Sequence, residues 1–404
     1  MPLPPGFEAI DFESYHRTTL PALLAGGRDR LAATAAARLR GRLALRLPDG
    51  AAFTYVPGAS GIAIAAGDAD ATTVIELDAE TWQSLVHELD AAAGLTYAGK
   101  LCCRRGAAVD LMAWESTLRA MYNGRPPYEP ERLELRDRHG QRLDHNASFR
   151  LDADREDMAH FLRSAGYLFV RSVLRADELP RLQAEAEALR DEARRGDKLS
   201  WWGKTSNGDE VLCRVTRGIC KPGLATLPTD PRLLSLVGLA DEPLVYSQGE
   251  GQGVTVIYKR PDMHAGLGDL PWHRDCGVGG HASRCPILLL SIYLREATPE
   301  SGELTMLPGS HRYAFNAHDT TLDPMAWAAH FAAQPGDVSV HYSDTVHAAP
   351  PPTALDRSEY RVSAVLSFAR PTARHHRGEP SYNDVLHQRD DGQIEHLTEV
   401  ARRL

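Results

Sequence analysis

The sequence predicts two domains of different class. The first is an α+β unit with an antiparallel sheet covered by helices. The second is an all-β core of the jelly-roll or cupin-like kind, a double-stranded β-helix with flanking helices. Three observations lead there. A chain of 404 residues is too long for one ordinary hydrophobic core. Between residues 43 and 77 short apolar runs alternate with turn residues, and helix-length stretches follow. From residue 254 onward short β-rich runs succeed one another without the strand–helix alternation of a parallel sheet. The expected boundaries are 1–125 for the first domain, 126–150 for a linker and 151–404 for the second domain.

Residues 28–40, rich in Ala, Arg and Leu, read as a helix that Gly41 is placed to end. The runs at 43–47, 51–56, 61–65 and 72–77, separated by turns such as Pro48-Asp49-Gly50, predict an antiparallel meander. Asp78 is a natural N-cap for a helix to Leu89, with Trp82, Leu85 and Leu89 on one stripe, and residues 111–122 read as helical again. This stretch, "TTVIELDAETWQSLVHELDAAAGLTYAGKL" within residues 30–125, resembles the sterol-carrier-protein-2-like domain. The resemblance implies a lipid-like or apolar ligand, or a structural relic of one. Residues 123–150 carry many Pro, Arg and Asp and few large apolar side chains, as a linker would.

In the second domain Asp154 caps a helix that ends at Gly166, and Tyr167–Val170 is a strand. A helix opens at Asp177, with Leu182, Ala186 and Leu189 on its buried stripe. The aromatic stretch 200–218 reads as a loop, either a substrate lid or tryptophans packed on the barrel exterior, and 228–239 as a short helix. Strands are expected at 254–258, 287–294, 303–307, 337–341 and 361–369, with explicit turns at 299–302, Pro308-Gly309 and Pro335-Gly336-Asp337. No GxGxxG or GxxxxGK[ST] fingerprint of a nucleotide-binding fold is present.

The formal charge of −9 contains no basic block, which argues against nucleic acid as a partner. No apolar run reaches bilayer length, and the N-terminus lacks a basic segment followed by an apolar one, so a cytoplasmic protein without membrane insertion is expected. None of the six cysteines forms a CxxC, so they read as reduced and mostly structural. The oligomeric state has no signature.

With 17 histidines in the chain, a histidine needs context before it counts as a ligand. His273 and Asp275 have it. Residues two apart on an extended segment share a face, so these two side chains converge while Arg274 points away. Two histidines and one carboxylate form the facial set that holds non-haem Fe(II) with open positions. The remaining histidine must come from elsewhere, and His347 follows a predicted strand. A kinase-type His-Arg-Asp is excluded because the Asn it requires five residues later is Gly280 here.

The ordered set WHRD at 272–275, SGELTMLPGSH at 301–311, Gly336-Asp337, His347 and YRVSAVLSF at 360–368 resembles the phytanoyl-CoA dioxygenase family of Fe(II)- and 2-oxoglutarate-dependent oxygenases. The similarity covers residues 151–372, opening with FLRSAGYLFVRSVL. It implies that His273, Asp275 and His347 bind iron and that Arg361 clamps the distal carboxylate of 2-oxoglutarate. Ser363, on the same strand face, adds a hydroxyl to that carboxylate. Arg357 is a rival clamp, disfavoured by its Pro-rich surroundings. Relatives often carry Ser or Thr two residues after the distal histidine, whereas this chain has Ala349, which puts one co-substrate contact in doubt.

The implied reaction uses O2 to hydroxylate an apolar, lipid-like or natural-product small molecule, supplied free, as a thioester or on a carrier, and releases succinate and CO2. Desaturation, epimerisation and cyclisation are alternative outcomes of the same chemistry, and halogenation is disfavoured by Asp275. The rival from another class is a non-catalytic lipid-binding protein, against which the intact set of His273, Asp275, His347 and Arg361 argues. A structural role is expected for His311, a packed or ligand-supporting one rather than a ligand's for His341, and solvated ones for His375 and His376. Trp272, Arg274, Tyr258, Lys259 and His281 are candidates for touching substrate.

Overall fold

The computed structural model describes residues 3, 7–37, 39, 41–247, 253–263, 270–275, 287–315, 323–353, 361–371 and 400–404. The expectations for Gly280, His281, Arg357, His375 and His376 fall outside these residues, as do Cys276 and Cys285. Cys102, Cys103, Cys213 and Cys220 form no disulfide.

In the first domain five strands, β1 (Leu43–Arg46), β2 (Ala52–Gly58), β3 (Gly61–Ala66), β4 (Thr73–Glu76) and β5 (Cys102–Arg105), form a sheet of order β3-β2-β1-β4-β5. The antiparallel meander holds for β1 to β3. It fails at β4, which lies beside β1 in parallel register, Leu43 opposite Thr73. The cause is the 67–72 connection, whose Ala71 packs with Ala44 and Val74 on one face of the sheet, so the chain crosses that face to reach the free edge of β1.

The other face carries Leu43, Leu45, Phe53, Tyr55 and Ile75 into a core shared with Trp82, Leu111, Leu118 and Tyr122. Period-two alternation along the strands sorts these residues. The expected helices appear at Asp29–Ala36, Ala79–Val86, where Asp78 accepts the Thr81 amide, and Val109–Asn123. Helical turns from Phe12 to Arg28 precede them, unforeseen because this stretch opens polar and is interrupted by Gly26-Gly27, the latter at φ 112°.

Residues 126–150 run along the second domain. Leu135 and Leu143 join its core, the Tyr128 hydroxyl donates to the Pro308 carbonyl at 3.0 Å, and β6 (Ser148–Arg150) pairs with β7 (Tyr167–Arg171). The helix Arg155–Ala165 starts at Asp154, which accepts two amides, and ends at Gly166 with φ 89°. The next helix spans Leu179–Glu192.

The stretch read as a loop from Ser200 onward is instead a hairpin of β8 (Ser200–Lys204) and β9 (Glu210–Val215). Trp201 is buried against Val211, Cys213 and Met263, which a mobile lid would not offer. The remaining strands are β10 (Val245–Ser247), β11 (Thr255–Lys259), β12 (Leu270–His273), β13 (Leu288–Tyr293), β14 (Thr305–Met306), β15 (Ala329–His330), β16 (Val338–Tyr342), β17 (His347–Ala349) and β18 (Arg361–Ala369).

They form two sheets, as a jelly roll requires. The large one runs β6-β7-β16-β13-β18-β11-β9-β8, with β10 also paired to β18, and the small one runs β12-β17-β14-β15. Alternation divides the large sheet. Val362, Ala364, Leu366 and Phe368 share a face with Leu288, Leu290, Ile292, Val338 and Tyr258, and Tyr258 reaches the helix Leu179–Glu192 by donating to the Ala186 carbonyl at 2.6 Å. That face holds the sheet to its helices.

The opposite face of the large sheet is polar along one row. The register places His341, Ser339, Ser291, Tyr293, Ser363, Arg361 and Lys259 on it, all buried. Burying so many polar groups costs free energy unless they are paired, so the row is a candidate for holding a polar ligand.

Candidate active site

His273 and His347 meet because β12 and β17 are antiparallel neighbours with these two residues directly opposite, the ladder shifting register between His273 and Leu270. Their rings lie 4.2 Å apart between centroids. Asp275 follows β12 by two residues, and its amide is fixed by the Ser343 carbonyl at 3.0 Å. His273 Nε2 lies 3.6 Å from Asp275 Oδ1, and His347 Nε2 lies 3.7 Å from Oδ2. One donor atom from each of the three residues falls within a 4.8 Å span, the only such group of three or more among the described residues.

The imidazoles are prepared for a cation. His273 Nδ1 donates to the Pro271 carbonyl at 2.8 Å and His347 Nδ1 to the Thr345 carbonyl at 2.9 Å. Each bond places the proton on Nδ1 and leaves the Nε2 lone pair facing Asp275. Burial, reinforced by the neighbouring His273, pushes His347 down to about 3, so the ring is neutral at physiological pH. Burial acts to raise Asp275, but the imidazoles gathered round it, with His341 Nε2 turned to Oδ2, outweigh burial and hold the carboxyl well below the usual range. An imidazole Nε2 from each histidine and an ionised carboxylate are the donor chemistry Fe(II) takes.

The polar row supplies the second half of the site. Arg361 is buried; its Nη1 donates to the Gly302 carbonyl, and its Nε has no hydrogen-bond partner. Burial lowers its pKa, against the pull of Tyr293 and Glu303. Directly across the ladder sits Lys259, 1% exposed, whose Nζ donates to the Ala349 carbonyl at 2.5 Å. Two buried cations side by side, one with an unmet donor, fit a carboxylate. Ser363 shares the face with Arg361. The pair closes on Gly302, φ 71°, where a Cβ would stand 2.4 Å from the Pro350 carbonyl and 2.7 Å from Lys259 Cε. Only glycine fits.

Of the expected substrate contacts among the described residues, Lys259 alone lies on the polar row. Tyr258 faces the helices instead. Arg274 is buried behind the site, donating to the Ser310 and Tyr313 carbonyls, and Trp272 packs against the cluster of Tyr128, Leu307 and Val346. His311 is structural, bonded to the Arg163 carbonyl at 3.1 Å. Of the two roles expected for His341, the geometry favours the ligand-supporting one, because its Nε2 lies 3.4 Å from Asp275 Oδ2. Its strand parity with Ser339 was the sequence signal that it faces the interior.

Residues 162–357 match the family model for phytanoyl-CoA dioxygenase (PhyH). The second domain is an Fe(II)- and 2-oxoglutarate-dependent oxygenase. Among solved structures the chain is similar to AviO1 from Streptomyces viridochromogenes Tue57, at 27% identity over 55% of this chain and 97% of that one, TM-score 0.43. It is also similar to SnoN, a non-haem α-ketoglutarate-dependent epimerase from nogalamycin biosynthesis, at 24% identity over 53% and 80%, TM-score 0.43. EctD from S. alaskensis with bound iron matches at 19% identity over 67% and 91%, TM-score 0.43. No curated protein sequence matches. Among the described residues no helix is long and apolar enough to cross a membrane.

Proposed function

We propose that His273 Nε2, His347 Nε2 and one oxygen of Asp275 hold the iron, and that Arg361, with Lys259 and Ser363 beside it, binds the distal carboxylate of 2-oxoglutarate. The observation that carries this reading is the register match of His273 with His347, both with Nδ1 tied to backbone and Nε2 turned to Asp275. When bound, the iron and 2-oxoglutarate supply, with O2, the oxidising power to remove a hydrogen from a substrate carbon. The chain's own work is positional. Arg361 and Lys259 hold one end of the 2-oxo acid, and the buried Ser291–Ser339–Ser363 row lines the interior face between them and His341.

The reaction is hydroxylation of an apolar or lipid-like small molecule, with succinate and CO2 released. Residues 30–125 are the sterol-carrier-2-like part that presents this substrate, a reading supported by a five-stranded sheet with helices over its apolar face. The test is substrate-stimulated succinate release by the full chain across a panel of apolar compounds. His347→Ala should abolish it while the protein stays folded, and unchanged turnover would remove the proposed site.

A further inference from the structure

Three imidazoles surround the Asp275 carboxylate, and their hydrogen bonds sort them into two kinds. His273 and His347 both commit Nδ1–H to a backbone carbonyl and offer lone pairs at Nε2. His341 does the reverse. Its Nδ1 is buried and has no partner, while its Nε2 faces Asp275 Oδ2 at 3.4 Å. An imidazole carries its proton where an acceptor waits, and here the acceptor is the carboxylate. His341 is 3% exposed on β16, on the interior face of the large sheet, so it approaches Asp275 from the opposite sheet to the other two histidines.

We propose that His341 is a positioning residue for the metal site: its Nε2–H holds Asp275 Oδ2, stops the carboxylate rotating, and leaves the other oxygen for the metal. This rests on the ligand reading above. A carboxylate on a short side chain beside two nitrogen ligands has two ways to turn, and a donor from the facing sheet selects one. Outer partners of this kind typically contribute 10- to 100-fold to metal affinity.

The test uses the full-length protein, with Co(II) as an air-stable probe alongside anaerobic Fe(II). Affinity is read by equilibrium dialysis, the Co(II) visible spectrum reports ligand geometry, and Tm is taken without metal. His341→Phe keeps the ring volume and removes the donor. His341→Gln places an amide N–H near the former Nε2. The expected result is a loss of roughly 10- to 100-fold in metal affinity with Phe, a changed Co(II) spectrum, and recovery of most of the affinity with Gln. Should the Phe variant lose metal-free stability, the Gln variant, compared with His341→Leu, of similar size but without a donor, carries the same contrast. Equal affinity in wild type and the Phe variant overturns the proposal and leaves the ligand reading standing. Equal, steep losses in the Phe and Gln variants also overturn it, by making His341 itself a ligand. Absence of metal binding by the wild type overturns the ligand reading.

Discussion

Arg361→Met offers the sharpest test of the co-substrate site, because the structure predicts opposite effects on stability and on binding. Arg361 and Lys259 are cross-strand neighbours in the interior, and both side chains close on Gly302. Two unit charges roughly 6 Å apart repel by about 3 kcal/mol at an effective dielectric near 20. That repulsion, with the cost of burying the guanidinium, is carried by the metal-free protein, and methionine relieves it while keeping most of the side-chain volume. On the proposed reading, bound 2-oxoglutarate reverses the balance, since its carboxylate neutralises the pair. Removing one partner of a buried, hydrogen-bonded ion pair costs about 2–5 kcal/mol, which is a loss of roughly 30-fold or more in affinity. The assay is anaerobic calorimetric titration of 2-oxoglutarate into Fe(II)-loaded protein, beside Tm of the ligand-free form. The expected outcome is a Kd raised by at least that factor with Tm held or increased. A Kd within roughly threefold of wild type, or a large fall in ligand-free Tm, would refute the clamp.

Two further outcomes follow from backbone and burial. Gly302→Ala puts a Cβ against the Pro350 carbonyl and Lys259 at a left-handed φ of 71°, so about 2–4 kcal/mol of stability is lost and 2-oxoglutarate binds more weakly; denaturant titration and calorimetry check both. In the first domain His16 donates from Nδ1 to the Phe12 carbonyl at 2.7 Å and meets the Tyr55 hydroxyl at 2.6 Å, and burial pushes its pKa down from 6.5 to about 4. The unfolded chain therefore binds the extra proton first: the stabilisation is complete above pH 6.5 and is lost as pH falls towards 4, by about 2 kcal/mol at pH 5. Denaturation of wild type and His16→Phe at pH 7.5 and 5.0 measures this, and an unchanged gap between them would contradict it.

Features set by neighbouring residues were legible in the sequence. His273 and Asp275 share a face because extended backbone has a period of two, and Asp78, Asp154 and Gly166 cap helices as their side chains dictate. The same alternation in Arg361-Val-Ser-Ala-Val-Leu-Ser-Phe368 separates the polar interior from the helix-facing side. What failed depended on partners distant in sequence. The run after β3 gave no sign that β4 would pair in parallel with β1, since that depends on which sheet edge is free. The hairpin at 200–215 read as a loop because its two tryptophans and Gly203 obscure the strand pattern until Val211, Cys213 and Met263 arrive to bury Trp201.

The sequence by itself determined the chemistry available: a His-x-Asp on one extended segment, a distal histidine, and an arginine opening the last core strand. Tertiary structure decided how these residues are used. The pairing of β12 with β17 brings His273 to His347, and the ladder of β11 with β18 sets a buried lysine beside Arg361. The large sheet delivers a third imidazole to Asp275. The physical reason is that side-chain direction follows from local backbone geometry, whereas the identity of the neighbour across a ladder follows from register, which only the assembled sheets define.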